Sequence, residues 1–230
     1  MTGHSFQPFI RLPNEWIEKK GLHVFNWKVG RASHTAALMV LLAIAHRTND
    51  EGIAKVTYQE FEAVLPMRRA KISEGIKVLV QLGIIRHKPL GQSTFQLVDF
   101  AEAGKTWAKL PAKGLYTNGV IWGLKDFRLR KAVELHALKI YFLLASRRNT
   151  QTNETRLSYK KIEEWCGVPT GHIKAATSLL IENRLNSVDS VTDWEKQDPM
   201  HSHPNSYRIA HVDSYRHKGT QPVGQETQPE

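Results

Sequence analysis

The chain has one cysteine, Cys166, in 230 residues. That excludes a disulfide within the chain and a cysteine cluster for zinc, and it suits a reducing compartment. Residues Met1 to Gln7 show no basic stretch followed by an apolar one, so no secretory signal is expected. The longest apolar run, Ala36 to Ala45, falls short of the roughly 20 residues that span a bilayer. It predicts a buried helix, and the expected location is cytoplasmic. The sequence also lacks a glycine-rich phosphate loop, a nucleophile elbow and a paired-carboxylate constellation. These absences point away from an enzyme and from a cofactor. His201 and His203 alone, in a loop-like stretch, do not make a metal site.

Base is plentiful where acid is scarce. Lys+Arg number 32 against 22 Asp+Glu, giving a net charge of +10 and a pI near 9.7. Such a surplus favours a polyanionic partner, nucleic acid before membrane. It is unevenly spread. Counting Lys+Arg against Asp+Glu, residues 1–104 carry 13 and 9, residues 105–186 carry 15 and 6, and residues 187–230 carry 4 and 7. The basic middle is the place to look for contacts, and the acidic end is not.

An internal repeat organises the chain. Arg11-Leu12-Pro13, preceded by Phe9, is echoed by Lys109-Leu110-Pro111, preceded by Trp107. Ala37-Leu38 through Ala45-His46-Arg47 is matched by Ala137-Leu138 through Ala145-Ser146-Arg147. Val56-Thr57-Tyr58 pairs with Leu157-Ser158-Tyr159, Ile72 with Ile173, and Val78-Leu79-Val80 with Leu179-Leu180-Ile181. Thr94-Phe95-Gln96-Leu97 then pairs with Ser206-Tyr207-Arg208-Ile209. The register slips only where loops belong.

Each copy reads alike. Copy one opens with a helix over about Ser33–Arg47, with Ser33 as N-cap, then a turn at Thr48–Gly52 and a short strand at Ile53–Val56. Thr57 and Glu60 form a capping box for a second helix ending near Leu65-Pro66. A third helix follows over about Arg68–Leu82, its core face set by Ile72, Ile76, Leu79 and Val80. Gly83 is placed for a left-handed cap, and strands at Ile84–His87 and Thr94–Val98 make a hairpin. Copy two predicts helices over about Ala132–Arg148, from Ser158, and over Thr170–Asn183, with a strand at Thr155–Leu157. Lys161 replaces the capping-box glutamate, so that cap is weaker, and buried Cys166 takes the place of Leu65. The second hairpin loop, roughly Ser187–Asn205, is longer. The tail 214–230 has no apolar period and predicts disorder.

This order, with Val56-Thr57-Tyr58-Gln59-Glu60-Phe61, Leu65-Pro66-Met67-Arg68-Arg69-Ala70-Lys71-Ile72 and Leu82-Gly83-Ile84-Ile85, resembles the winged helix family. The resemblance covers most of residues 33–100 and, more loosely, 132–212. It implies an α+β, mostly helical fold of two tandem winged helix-turn-helix domains. The first spans 1–104 with an N-terminal extension, and the second spans 105–213 with an extended wing. Two winged helices in tandem also resemble the architecture of plasmid-type replication initiators, which typically regulate their own promoter as well.

A recognition helix needs an outward face rich in donors and poor in apolar bulk. On the third helix, Arg68, Arg69, Lys71, Ser73, Glu74 and Lys77 lie outward or on the flanks. Cations in a helix's first turns oppose its dipole, so this placement is not one that stability selects. Arg86 and Lys88, in the wing Arg86–Ser93, can reach phosphate or the minor groove. In copy two the outward set is Thr170, Gly171, His172, Lys174, Ala175 and Ser178, with Thr170 read first as an N-cap. Arg128, Arg130 and Lys131 can grip backbone ahead of the second copy. Asp189, Asp193, Glu195 and Asp198 in the second wing repel phosphate. Trp16, Trp27, Trp107 and Trp122 are expected to staple the two domains or a dimer.

Sequence-specific binding of double-stranded DNA by a cytoplasmic, nucleoid-associated protein is therefore the leading expectation. The rival classes are a protein-docking module and a nonspecific architectural binder. A homodimer is compatible with every one of them.

Overall fold

The computed structural model describes residues 8–88, 93–100, 106–189 and 205–212. The first wing tip, the acidic side chains of the second wing, His201, His203 and the tail 214–230 lie outside the described residues. The fold is α+β. About half of the described residues are helical, and the strands form several small sheets.

The chain opens with strand β1 (Phe9–Pro13), a short helix α1 (Glu15–Glu18) and a 3-10 turn over Gly21–Val24. Copy one follows: α2 (Trp27–Ala45), β2 (Ile53–Lys55), α3 (Tyr58–Val64), α4 (Arg69–Gln81), β3 (Ile85–Lys88) and β4 (Thr94–Leu97). A connecting region holds β5 (Trp107–Pro111), β6 (Tyr116–Thr117) and β7 (Val120–Ile121). Copy two is α5 (Ala132–Arg147), β8 (Glu154–Leu157), α6 (Tyr159–Cys166), α7 (Thr170–Glu182), β9 (Asn186–Asp189) and β10 (Asn205–Ile209).

The two copies have the same element order and the same sheet topology, β2-β4-β3 in one and β8-β10-β9 in the other. The registers correspond as well. Phe95 lies between Ala54 and His87, and its counterpart Tyr207 lies between Thr155 and Val188. Period-two alternation turns Ile85, Phe95 and Leu97 into the core, and Arg86 and Lys88 away from it.

The local signals that hold are those with a definite hydrogen bond. Thr57 Oγ1 accepts from Glu60 N–H while the Glu60 carboxylate accepts from Thr57 N–H, completing the capping box. In copy two, Ser158 Oγ accepts from Lys161 N–H, and Lys161 returns nothing. Gly83 adopts φ +67, as a left-handed cap requires. Its counterpart Arg184 is forced into the same region at φ 55.

Two expectations for copy one are corrected. Ser33 does not cap the first helix: α2 begins at Trp27, capped by Asn26 Oδ1 on Lys28 N–H, and breaks at Arg31 (φ 44, ψ −127). Ser33 lies just past this break, its Oγ donating to Gly30 O. Val80 is not core. It is 42% exposed, because Val78 turns inward in its place, and its counterpart Ile181 is 46% exposed.

Ala36 to Ala45 has no exposed surface and packs on α4 and α5. It belongs to the one described helix, Trp27–Ala45, whose length and mean hydropathy of 1.2 would suffice to cross a membrane. Here that helix fills the middle of the core.

The halves share this core. α2 and α5, which correspond in the repeat, pack on each other. β1 pairs antiparallel with β5, Phe9 opposite Pro111, Arg11 opposite Lys109 and Pro13 opposite Trp107. Arg11 and Lys109 are themselves counterparts, so this ribbon has an approximate two-fold axis at its centre. The side chains obey it: the Arg11 guanidinium sits 4.9 Å from the Trp107 ring, and Lys109 Nζ sits 4.0 Å from the Phe9 ring. The N-terminal extension reaches onto copy two. Trp16 packs on Phe142, Lys139 Nζ donates to Phe25 O at 2.8 Å, and the His23 ring bonds Glu164 O at 3.0 Å. Trp16 thus joins the halves, whereas Trp122 is 41% exposed with Lys125 over its ring.

Candidate nucleic-acid interface

α3, the turn Leu65–Arg68 and α4 present the copy-one candidates. The turn forms because Leu65 and Met67 are buried and Pro66 cannot continue α3. α4 then buries Ile72, Gly75, Ile76 and Leu79. Gly75 is required here, because a Cβ would come within 2.9 Å of the backbone of Ala36 and Ala37. α4 is therefore seated directly on α2, which fixes which face points outward.

Arg68 and Arg69 are exposed at the start of α4, and Lys77 is exposed two turns on. Arg68 and Lys77 have no side-chain partner among the described residues. Arg69 is held from two sides. Its N–H donates to Glu62 Oε1 at 2.9 Å, and its guanidinium lies 4.6 Å from the Tyr58 ring centre. Lys71 is half-buried and paired with Glu74 at 2.7 Å, so its charge is partly spent within the helix. Ser73 is half-buried. Arg86 and Lys88 are exposed on β3, the element that α4 leads into. His87, between them, faces inward and stacks on Phe95 at 4.6 Å, and burial lowers its pKa.

Arg128, Arg130 and Lys131 are exposed, for a reason the sequence reading missed. Glu134, only 6% exposed, turns back on the loop and accepts from the N–H groups of Arg128, Arg130 (2.8 Å) and Lys131 (3.1 Å). Leu129 takes φ 59 to close the turn. One buried carboxylate thus gathers three backbone donors, and the basic side chains splay outward. The readable signal was a glutamate at the third position of a helix, where capping boxes place one.

In copy two, Thr170, His172, Lys174 and Ser178 are all exposed on α7. Thr170 is not the N-cap: it is the first helical residue, Pro169 holds the cap position, and no side chain caps the end. Pro169 takes φ −57 and ψ 140, an extended conformation that its ring-fixed φ allows. His172 is not merely exposed. Its ring lies 5.3 Å from that of His136 on α5, and burial, then Lys139 and His172, drive the His136 pKa down to about 4. Cys166 is buried, and burial raises its pKa to about 11, which favours the thiol over the thiolate.

The structure thus gathers the copy-one set on consecutive elements, α4 and β3. The copy-two set stands on α7, and the Arg128–Lys131 set on the loop before α5. Among the described residues, no group of three or more His, Cys, Asp or Glu could hold a metal ion. No known protein family, curated protein or solved structure matches the chain.

Proposed function

We propose that this protein binds double-stranded DNA sequence-specifically through two tandem winged helix-turn-helix units. Its role would be transcriptional regulation or replication initiation in the bacterial cytoplasm, on a mobile element. One observation carries this reading. The helix–turn–helix α3–α4 exposes Arg68, Arg69 and Lys77 and leads directly into a strand exposing Arg86 and Lys88. Such a helix offers the major groove donors without apolar bulk in its first turns, and such a strand offers phosphate contacts. The net charge of +10 supports the same partner.

The test is a duplex titration at several salt concentrations. Genomic fragments are first screened at physiological salt for one that is selectively retained. Replacing Arg68 and Arg69 together by Ala is expected to weaken that fragment's binding by roughly 10- to 100-fold and to lower the salt slope by about 1 per lost phosphate contact. Lys174→Ala, on the corresponding helix, is expected to change affinity by less than about threefold. Unchanged affinity and slope in the double variant would remove α4 from the interface. Equal retention of all fragments would favour architectural binding, and retention of none a protein-docking role.

A further inference from the structure

A cavity of about 330 Å³ lies between the start of β5 and the end of α5, lined by Thr106, Trp107, Lys109, Ala145, Ser146, Arg148 and Thr150. Among the described residues, no acidic side chain lines it. Arg148 is only 8% exposed. A guanidinium has five N–H donors. Among the described residues, Arg148 uses one of them, Nη1 to Asn149 O at a long 3.3 Å, and its Nε has no partner. A buried cation without an anion is costly, and natural structures supply one.

Copy one shows that the fold does not ask for this arginine. The counterpart of Arg148 is Thr48, whose Oγ1 donates to Ala45 O at 2.9 Å. The counterpart of Ser146 is His46, whose ring fills the same corner by bonding Pro111 O and Tyr116 Oη, each at 3.0 Å. One copy closes the corner with a neutral ring. The other leaves it open and lines it with an arginine and a lysine.

We infer that this cavity binds a phosphate group, with Arg148 as its principal ligand. The planar fork of a guanidinium matches two phosphate oxygens. The exposed hydroxyl side chains of Thr106 and Thr150 stand at the rim as further donors. Trp107, 44% exposed and faced by Arg11, offers a flat apolar wall for whatever organic part the phosphate carries. Burial depresses the Arg148 pKa, the direction expected of a cation still lacking its counter-charge. This site stands apart from the α4 surface, and the phosphate titrations need no DNA.

The full chain, labelled with nitrogen-15, is titrated with inorganic phosphate, glycerol phosphate and a short duplex, each against chloride at matched ionic strength. The arginine Nε–H signal of Arg148 is assigned by its loss in Arg148→Met, which keeps the apolar stem. That signal is expected to move and saturate at roughly millimolar phosphate, and calorimetric binding is expected to fall at least about tenfold in Arg148→Met. If Arg148→Met fails to fold, Arg148→Lys serves for both assignment and comparison. Movement with glycerol phosphate at lower concentration than with duplex identifies a small phosphomonoester. Movement with duplex alone identifies a backbone phosphate. An Arg148 signal that moves with none of the three, or binding heats equal in the variant, overturns the inference.

Discussion

Past the break at Arg31 the leading helix of copy one runs in register with that of copy two, but the two starts are secured by different acceptors. In copy two the third helical residue is Glu134, a buried carboxylate that accepts three backbone N–H groups. Its counterpart in copy one is His34, whose Nδ1 accepts a single N–H, from Asn26 at 2.8 Å. The preceding segment follows the difference. In copy two it is a loop held on one point, with three cations thrown outward. In copy one it is a helical turn that breaks at Arg31, with Val29 80% exposed. A repeated fold thus preserves the requirement, orphan donors at a helix start, without preserving the residue that meets it.

That difference predicts unequal damage. Glu134→Ala is expected to cost about 3 kcal/mol, since three charge-assisted bonds are lost at a buried point, and His34→Ala about 1 kcal/mol. Urea unfolding of both variants measures the gap, and equal costs would break the comparison.

A second contrast is acid sensitivity. His46 in copy one is buried, and desolvation lowers its pKa to about 3, whereas copy two has Ser146 there. The folded state holds this ring neutral while the unfolded chain takes up a proton. Its contribution is therefore complete above an ordinary histidine pKa near 6.5 and is lost as pH falls toward about 3. His34, His87 and His136, also lowered, act in the same direction. His46→Gln is expected to make the fall of stability between about pH 6 and 4 shallower by about 1.4 kcal/mol per pH unit. An unaltered slope would move the acid sensitivity elsewhere.

The smallest contrast is at the C-terminal caps. Gly83→Ala is expected to destabilise by about 1 kcal/mol, and Arg184→Gly to stabilise by up to about 1 kcal/mol, because only glycine takes a left-handed backbone without strain. Thermal unfolding of the two variants shows whether the signs are opposite.

What could be read from the sequence was what repeats locally. The duplicated elements, the Thr57–Glu60 box, Gly83 and the buried run Ala36–Ala45 each depend on neighbours within a few residues. The helix start at Trp27 was hidden because Trp27-Lys28-Val29-Gly30 has no apolar period and Arg31 breaks the turn. Val80 was misplaced because a helical face allows either it or Val78 inward, and packing decides. The cation candidates were found by composition. Their constraints (Tyr58 beneath Arg69, Glu62 on its N–H, Glu134 under the basic loop) come from turns that bring side chains together, and spacing alone does not announce them. The Arg148 cavity lies between elements more than thirty residues apart, beyond any local pattern.

The β1–β5 ribbon has a consequence for how the molecule assembles. Two like units meeting across a two-fold seam have the layout of a homodimer whose subunits were joined end to end. A true homodimer comes apart on dilution and must carry identical surfaces. With the partner tethered in the same chain, pairing of the halves is independent of protein concentration. The two surfaces are also released from matching, so one corner can close around His46 while its twin stays open around Arg148.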